Sequence, residues 1–292
     1  MTISELKKTF EQELSELYTS RESAELFSVF ASKYFELDRF QLRLKSEETI
    51  SETMATKFEE NLKALKTGKP FQQILGETEF YGLKFFVDEH VLVPRPETEE
   101  LLELAILKIQ DAQLETEESR IEHQDGGFKI LDIGTGSGII PVVLKKHFPE
   151  AEISAIDFSE DALKTARRNA EFHEVEITFL HQDYLNENLT EKYDMIISNP
   201  PYIGREESVD IANSVKEFEP KMALFSPTSN ALIFYEKIAK DCENHLAENG
   251  FVFLEINQKL GKETRELFVN ALSQVELLKD ISGNDRFVWG RK

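Results

Sequence analysis

Hydrophobic positions in residues 1–67 recur at helical spacing and at no strand spacing. The first predicted helix keeps its apolar side chains on one face: Ile3, Leu6, Phe10, Leu14 and Leu17. Thr2 and Glu5 are spaced as its N-terminal capping box. Three further helices are expected around 26–35, 40–44 and 54–65, and Gly68 followed by Pro70 marks the end of the last. Residues 1–70 therefore predict a helical bundle, which either stabilises the chain or docks a substrate.

Residues 71–96 have a different pattern. The apolar run from Phe80 to Val87 predicts two short strands around Gly82, a hairpin that links the bundle to the rest of the chain. Arg95 lies between two prolines that restrict the backbone. It could contact a carboxylate or a substrate, or it could be an ordinary surface residue. The polar, acidic stretch 115–127 is expected to be an exposed loop.

From Phe128 onward apolar strands alternate with amphipathic helices. Strands are predicted at 130–133, 153–156, 175–180, 193–198 and 251–256, and a final hairpin at 277–281 and 287–289. Such alternation predicts an α/β fold with a doubly wound, mostly parallel sheet. Residues 97–292 are thus expected to form the main domain, of the Rossmann-like type.

A glycine-rich turn follows the first of these strands, with the residues Gly134, Thr135, Gly136, Ser137 and Gly138. Its spacing is G-x-G-x-G, whereas a dinucleotide site would have G-x-G-x-x-G. Asp157 ends the next strand, where a carboxylate can bind ribose hydroxyls, and Asp183 with Tyr184 follows the third strand, beside the expected adenine. Together these strand ends predict an S-adenosylmethionine site.

Asn199, Pro200, Pro201 and Tyr202 follow the strand 193–198. Two prolines cannot continue the strand, so the chain leaves it as a stiff loop at the ligand-binding edge of the sheet. The Asn199 side-chain oxygen and the Pro200 carbonyl could accept hydrogen bonds from a planar NH₂ group next to the cofactor, with Tyr202 against its flat face. Alone, the sequence is equally compatible with an ordinary turn.

Composition limits the alternatives. The 292 residues are 40% hydrophobic, and no run of about 18 apolar residues or N-terminal signal segment is present, so we expect no membrane association. A single cysteine, Cys242, excludes an internal disulfide and favours a cytoplasmic location. The six histidines lack ligand spacing, so no metal is expected. The net charge of −21, of which residues 1–70 carry only −2, disfavours stable binding to nucleic acid.

With these motifs placed, the sequence resembles the protein-(glutamine-N5) methyltransferases of the HemK/PrmC type, loosely over the bundle and closely from Pro70 onward. The segments that carry the resemblance are Ile74–Gly76, Val93–Glu99, Gly134–Gly138, Asp157, Asn199–Tyr202, Phe218–Pro220 and Gly283–Arg286. Two positions depart from the family pattern: Asn257 stands where the family usually has glycine, and Ala231 where it often has glycine.

The resemblance implies methyl transfer from S-adenosylmethionine to the side-chain amide of a glutamine in an exposed loop of a peptide-chain release factor. Asn199, Pro200, Pro201 and Tyr202 would then form the acceptor site, with Arg95 as a possible substrate contact. The Asn-Pro-Pro-Tyr loop is shared with enzymes that methylate exocyclic amines of adenine or guanine, so a nucleic-acid substrate is the main alternative. A small-molecule methyltransferase and a non-enzymatic scaffold are less favoured, and the oligomeric state stays open.

Overall fold

The computed structural model describes residues 1–114, 127–204 and 213–292, which fall into two compact units. The first unit is helical and comprises Met1–Gly76 together with a helix from the middle of the chain. Its helices are α1 (Ile3–Leu14), α2 (Ser20–Phe35), α3 (Arg39–Leu44), α4 (Glu52–Lys66), α5 (Phe71–Leu75) and α9 (Asn213–Phe218). Gln73 Nε2 donates to the Phe218 carbonyl at 3.0 Å and so joins α5 to α9.

Local capping and an aromatic core explain the bundle. Thr2 and Glu5 form the predicted capping box, and Thr19 and Asp38 head two more. The core is rich in phenylalanine, because Phe10, Phe27, Phe30 and Phe58 are buried with ring centroids 5.7–6.3 Å apart around Phe10.

The second unit begins with the hairpin β1 (Glu77–Phe80) and β2 (Leu83–Phe86), paired antiparallel, and continues into α6 (Pro96–Leu114). Its main sheet has seven strands: β3 (Lys129–Ile133), β4 (Glu152–Asp157), β5 (Thr178–His181), β6 (Tyr193–Ser198), β7 (Leu246–Glu255), β8 (Gln274–Lys279) and β9 (Asp285–Arg291). They lie in the order β5-β4-β3-β6-β7-β9-β8. The pairs from β5 to β7 are parallel, and β9 runs antiparallel to both of its neighbours.

Helices cover both faces of this sheet. Besides α6, the helices of this unit are α7 (Ile139–His147), α8 (Glu160–Phe172), α10 (Lys221–Leu224), α11 (Ile233–His245) and α12 (Gly261–Phe268). Alternate residues of one strand belong to different cores: Met195 and Ile197 pack in the cluster that includes α6 and α7, and Ile196 packs in the one that includes α11 and α12. Because both faces are buried, the parallel strands read as continuous apolar runs.

The predicted fold class is confirmed: an α/β, doubly wound, mostly parallel sheet preceded by a helical bundle. The starts of three strands were predicted wrongly by three residues or more. β8 begins at Gln274, three residues before the predicted start. β7 begins at Leu246, five residues before the predicted start, and β5 begins at Thr178 because Val175 still donates its N–H to the Ala170 carbonyl at the end of α8. The short helices α5, α9 and α10 have too few turns to show a period, and the predicted loop at 115–127 lies outside the described residues except for Gly127.

Candidate active site

The glycine-rich loop joins β3 to α7 at the carboxyl edge of the sheet. Gly134, Gly136 and Gly138 all have positive φ, at 77°, 54° and 77°, which side-chain-bearing residues rarely adopt. A Cβ on Gly138 would approach the Ala166 Cβ to 2.9 Å, so this glycine also permits close packing of the loop on α8. The loop therefore requires glycine at these three positions.

Asp157, the last residue of β4, holds the loop in place. Its Oδ2 accepts the Gly136 N–H at 2.8 Å and its Oδ1 accepts the Ser159 N–H at 2.8 Å. Burial raises the pKa of this carboxyl, and the backbone donors oppose that rise. Since each carboxylate oxygen can accept more than one hydrogen bond, Asp157 keeps capacity for a ligand.

Asn169 on α8 is a second support that the sequence pattern did not reveal. It is fully buried, and its Nδ2 donates to the carbonyls of Ser137 (2.8 Å) and Phe86 (2.9 Å) while its Oδ1 accepts the Phe86 N–H (2.7 Å). One side chain thus ties the glycine loop to the hairpin. A polar residue on the otherwise apolar face of an amphipathic helix was the available signal.

A cavity of about 1120 Å³ opens above the loop. The predicted site residues that line it are Arg95, Gly134, Thr135, Gly136, Ser137, Asp157, Asp183, Tyr184, Asn199 and Pro201. Gly138, Pro200 and Tyr202 are not among its lining residues; Gly138 packs on α8, and Pro200 is buried. Strand ends that are far apart in sequence are therefore brought to one cavity, as predicted, whereas the roles of the individual residues stay predictions.

Asp183 and Tyr184 lie at the β5 side of the cavity. Asp183 Oδ2 accepts from Asn186 Nδ2 at 2.8 Å. Tyr184 is buried, and its hydroxyl donates to Asp241 Oδ2 at 2.8 Å, with Lys237 Nζ 3.2 Å from the same oxygen. The Tyr184 hydroxyl is thus engaged with α11, and burial together with the neighbouring carboxylate raises its pKa.

The Asn199 loop is fixed from behind by a buried carboxylate. Asn199 Nδ2 donates to Glu255 Oε2 at 2.9 Å and approaches Thr98 Oγ1 at 3.2 Å. The Tyr202 hydroxyl donates to Glu255 Oε1 at 3.2 Å, and its ring packs on the apolar cluster that includes α11. In this structure Tyr202 therefore supports the loop; a contact with the flat face of a substrate stays a prediction.

Glu255 and Thr98 were missed by the sequence reasoning. Glu255 ends β7 and is 2% exposed, and burial raises the pKa of its carboxyl to about 7. The signal was present, because Glu255 is the one acidic residue in the apolar run Phe251–Ile256. A carboxylate inside such a run needs hydrogen-bond partners, and those partners are polar residues of the site.

Arg95 contacts a carboxylate as well as the cavity. Its Nη2 donates to Oε1 of the buried Glu219, whose Oε2 accepts the Val93 N–H at 3.0 Å. The proline-flanked segment is thereby joined to the residue that precedes Pro220 and α10.

Two buried polar side chains lie near the end of β3. Thr135 lines the cavity, whereas Asp132, three residues earlier, is fully buried and is not among the lining residues. Burial raises the pKa of Asp132 to about 7. The described residues hold no cluster of His, Cys, Asp or Glu suited to a metal ion, and none of their helices is long and apolar enough to cross a membrane.

This sheet order and glycine loop define a class I methyltransferase fold. A solved example with the same fold is the 16S rRNA N2 G1207 methyltransferase of Thermus thermophilus, with a TM-score of 0.51 at 17% identity over 74% of this chain and 49% of that one. At that identity the likeness shows the fold alone.

Sequence relatives identify the family. The model of the PrmC N-terminal domain matches residues 5–76, and that of the methyltransferase small domain matches residues 119–218. The release factor glutamine methyltransferase of Flavobacterium psychrophilum is 41% identical over 99% of this chain and 98% of its own length. Those of Streptococcus pneumoniae and Bacillus subtilis are 38% and 34% identical over 99% and 98% of the chain. The chain belongs to the release factor glutamine methyltransferase family.

Proposed function

We propose that this protein transfers a methyl group from S-adenosylmethionine to the side-chain amide nitrogen of a glutamine in a peptide-chain release factor. The observation that carries the proposal is the orientation of the Asn199 side-chain amide. Its amide nitrogen is held by Glu255, which leaves Oδ1 as the part of the side chain that can accept a hydrogen bond from an NH₂ group in the cavity.

The residues of the cavity fit the cofactor. Asp157 would accept ribose hydroxyls, and Asp183 would contact the adenine edge. When bound, S-adenosylmethionine supplies a methyl group attached to a positively charged sulfur. The sulfur becomes a neutral thioether when it loses the methyl group.

On the acceptor side, the glutamine nitrogen is a weak nucleophile because its lone pair is delocalised into its own carbonyl. Asn199 Oδ1 would accept from one of the glutamine N–H groups and the Pro200 carbonyl, the predicted second acceptor, from the other, so that the nitrogen lone pair is left free for the transfer. The nitrogen would gain one N–C bond as the donor loses its C–S bond, and it would then lose one proton to water. The two acceptors stabilise the positive charge that develops on nitrogen, which lowers the barrier beyond the gain from positioning.

The release factor is favoured over a nucleic acid by two observations. The relatives that cover nearly the whole chain are named for release factor glutamine, and one of the matching family models covers the bundle. The net charge of −21 also opposes binding to a phosphate backbone. We assign the bundle to docking of the protein substrate, and residues 97–292 to the chemistry.

The test is incubation of the full chain with a purified release factor and isotopically labelled S-adenosylmethionine, followed by peptide mass spectrometry. We expect one labelled methyl group on one glutamine, absent when that glutamine is replaced in the release factor. Transfer RNA and ribosomal RNA are assayed in parallel under the same conditions. Label in RNA and none in the release factor would overturn the proposed substrate while leaving the cofactor assignment intact.

A further inference from the structure

Glu255 accepts three hydrogen bonds, one from α6 and two from the Asn199–Tyr202 loop. Its Oε2 accepts from Thr98 Oγ1 on α6 at 2.8 Å and from Asn199 Nδ2 at 2.9 Å, and its Oε1 accepts from the Tyr202 hydroxyl at 3.2 Å. The side chain is almost fully buried. The steps of the proposed transfer do not use this carboxylate, so its retention in the core calls for an explanation.

The sheet register places Glu255 beside the acceptor loop. Leu254 on β7 pairs with Ser198 on β6, so the next residues of the two parallel strands, Glu255 and Asn199, are neighbours at the carboxyl edge. The backbone around Glu255 is fixed as well, because its carbonyl accepts the Tyr235 hydroxyl at 3.1 Å. A second link, from Asn257 Nδ2 to the Tyr202 carbonyl at 3.2 Å, holds the far end of the loop.

A carboxylate at this position decides which way the Asn199 amide points. Ionised Glu255 only accepts hydrogen bonds, so the Asn199 NH₂ group must face it, and the flipped amide would bring two oxygens together. The donated hydrogen bond also draws electron density toward Oδ1, which makes that oxygen a stronger acceptor. The orientation of the Asn199 amide and the acceptor strength of its Oδ1 thus depend on the negative charge of Glu255.

We propose that Glu255 is a positioning residue that fixes the Asn199 amide with its oxygen toward the acceptor nitrogen, an inference that rests on the proposed methyl transfer. The ionised form is the active one, because Thr98, Asn199 and Tyr202 can all donate to it at once. Protonated Glu255 must itself donate one hydrogen bond, and the Asn199 amide then no longer has a preferred orientation. The charged and titratable groups that face the carboxylate are Glu97 on α6, Tyr202, Tyr235 on α11 and Arg286 on β9. Burial places the pKa of Glu255 at about 7, so both forms are populated near neutrality.

The test compares Glu255→Gln with wild type, using Asp194→Asn as the matched control. Asp194 is a buried carboxylate on β6 near the opposite end of the strand, where its Oδ2 accepts the Lys129 N–H at 2.7 Å. We expect Glu255→Gln to lower kcat on the release factor about 10- to 100-fold while the cofactor Kd changes less than about two-fold. In wild type kcat should rise with pH through about 7, and in Glu255→Gln it should be flat. Combined with Asn199→Ala, the same substitution should have no further effect, because the group it positions is gone.

A second measurement needs no substrate. In protein labelled with ¹⁵N-asparagine, the side-chain NH₂ signals of Asn199, identified by their loss in Asn199→Ala, should shift with pH near 7 in wild type and in Asp194→Asn but not in Glu255→Gln. The inference would be overturned if the Asn199 NH₂ signals of wild type did not shift with pH. It would also be overturned if Glu255→Gln had the kcat of wild type and the same dependence of kcat on pH. If the release factor is not methylated by wild type, the proposed function fails, and the NMR titration alone decides whether Glu255 holds Asn199.

Discussion

Arg95 and Glu219, separated by 124 positions in the chain, form an ion pair beside the cavity. The Glu219 side chain is 1% exposed and that of Arg95 is 35% exposed, so one partner is buried and the other reaches solvent. Because Glu219 also accepts the Val93 N–H, it fixes both the backbone and the side chain of the segment between Val93 and Pro96. A contact of Arg95 with substrate would therefore be made by a guanidinium that is already oriented.

This pair should be energetically coupled. A double-mutant cycle with Arg95→Met and Glu219→Gln should give a coupling free energy of about 1–3 kcal/mol in urea unfolding, since the partly exposed arginine is screened by water. The exposed pair Lys164–Asp161 on α8 is the control, and its coupling is expected to be much weaker because both side chains are screened by water. Equal coupling in the two cycles would show that Glu219 does not organise this segment.

The sequence was sufficient for features that depend on backbone chemistry. The glycines of the loop at 134–138, the prolines after Asn199 and the carboxylate of Asp157 predict strand ends that bind a ligand. Gly134, Gly136, Asp157 and Pro201 line the cavity, whereas Gly138 and Pro200 do not. The buried polar residues that hold these site residues in place by hydrogen bonds were not predictable in the same way. Asn169, Glu219 and Glu255 contact partners 32 to 157 positions away in the chain, and one sequence carries no information on such pairs beyond the presence of a polar residue in an apolar run.

Cofactor affinity should depend on Asp157, but through two effects. Asp157→Ala removes the proposed ribose acceptor and also the acceptor of the Gly136 and Ser159 N–H groups. We expect calorimetry to show a 10- to 100-fold weaker affinity for S-adenosylmethionine, about 1.5–3 kcal/mol for charge-assisted hydrogen bonds. Asp157→Asn, which keeps one oxygen acceptor, should fall between wild type and Asp157→Ala. An unchanged Kd in Asp157→Ala would remove this residue from the cofactor site.

Glu255 should reduce the stability of the fold at high pH. Its carboxyl titrates at about 7 when folded and at 4.5 when unfolded, so the folded state binds the proton more tightly and stability falls as pH rises from about 4.5 to about 7. The loss is at most about 3 kcal/mol. Thermal melts at pH 5 and pH 8 should therefore show Glu255→Gln gaining stability relative to wild type at pH 8. The raised pKa of Asp132 also lowers stability as pH rises, but Asp132 is present in both proteins, so its contribution cancels in the comparison. A stability difference independent of pH would contradict a buried, titrating Glu255.

The docking role of the bundle is best tested by point substitutions, because α9 belongs to the same unit and would lose its partner Gln73 in a truncated chain. Phe40 and Leu44 lie four residues apart on α3, and each is 69% exposed. Replacement of both with serine should raise the KM for the release factor about 10-fold, with kcat and cofactor Kd unchanged. The control is Val269→Ser, a 44% exposed apolar residue of the second unit. An unchanged KM would exclude this face of α3 from substrate docking.

The substitution Asn199→Ala tests whether Asn199 acts in the methyl transfer or only supports the fold. Asn199→Ala removes one of two acceptors facing the developing positive charge, and loss of a comparable preorganised group costs about 10²–10³ in rate. The cofactor Kd should change little, because the proposed donor contacts come from the glycine loop, Asp157 and Asp183. Mass spectrometry of the release factor gives the rate, and calorimetry gives the Kd. Wild-type turnover by Asn199→Ala on the methylated substrate would refute the proposed acceptor site.

Asn199→Asp distinguishes the amide from a simple oxygen acceptor. The new carboxylate would lie against Glu255, whose Oε2 is 2.9 Å from the present Asn199 Nδ2, and two carboxylates at that distance share one proton. At low pH the protonated pair still offers an oxygen toward the cavity, whereas at high pH repulsion moves the side chain away. The turnover of Asn199→Asp should therefore fall as pH rises between 6 and 9, about the reverse of the wild-type trend. In the double variant Asn199→Asp with Glu255→Gln the fall should disappear, because the second charge is absent. A pH profile of Asn199→Asp that rises as in wild type would show that the two side chains do not interact during turnover.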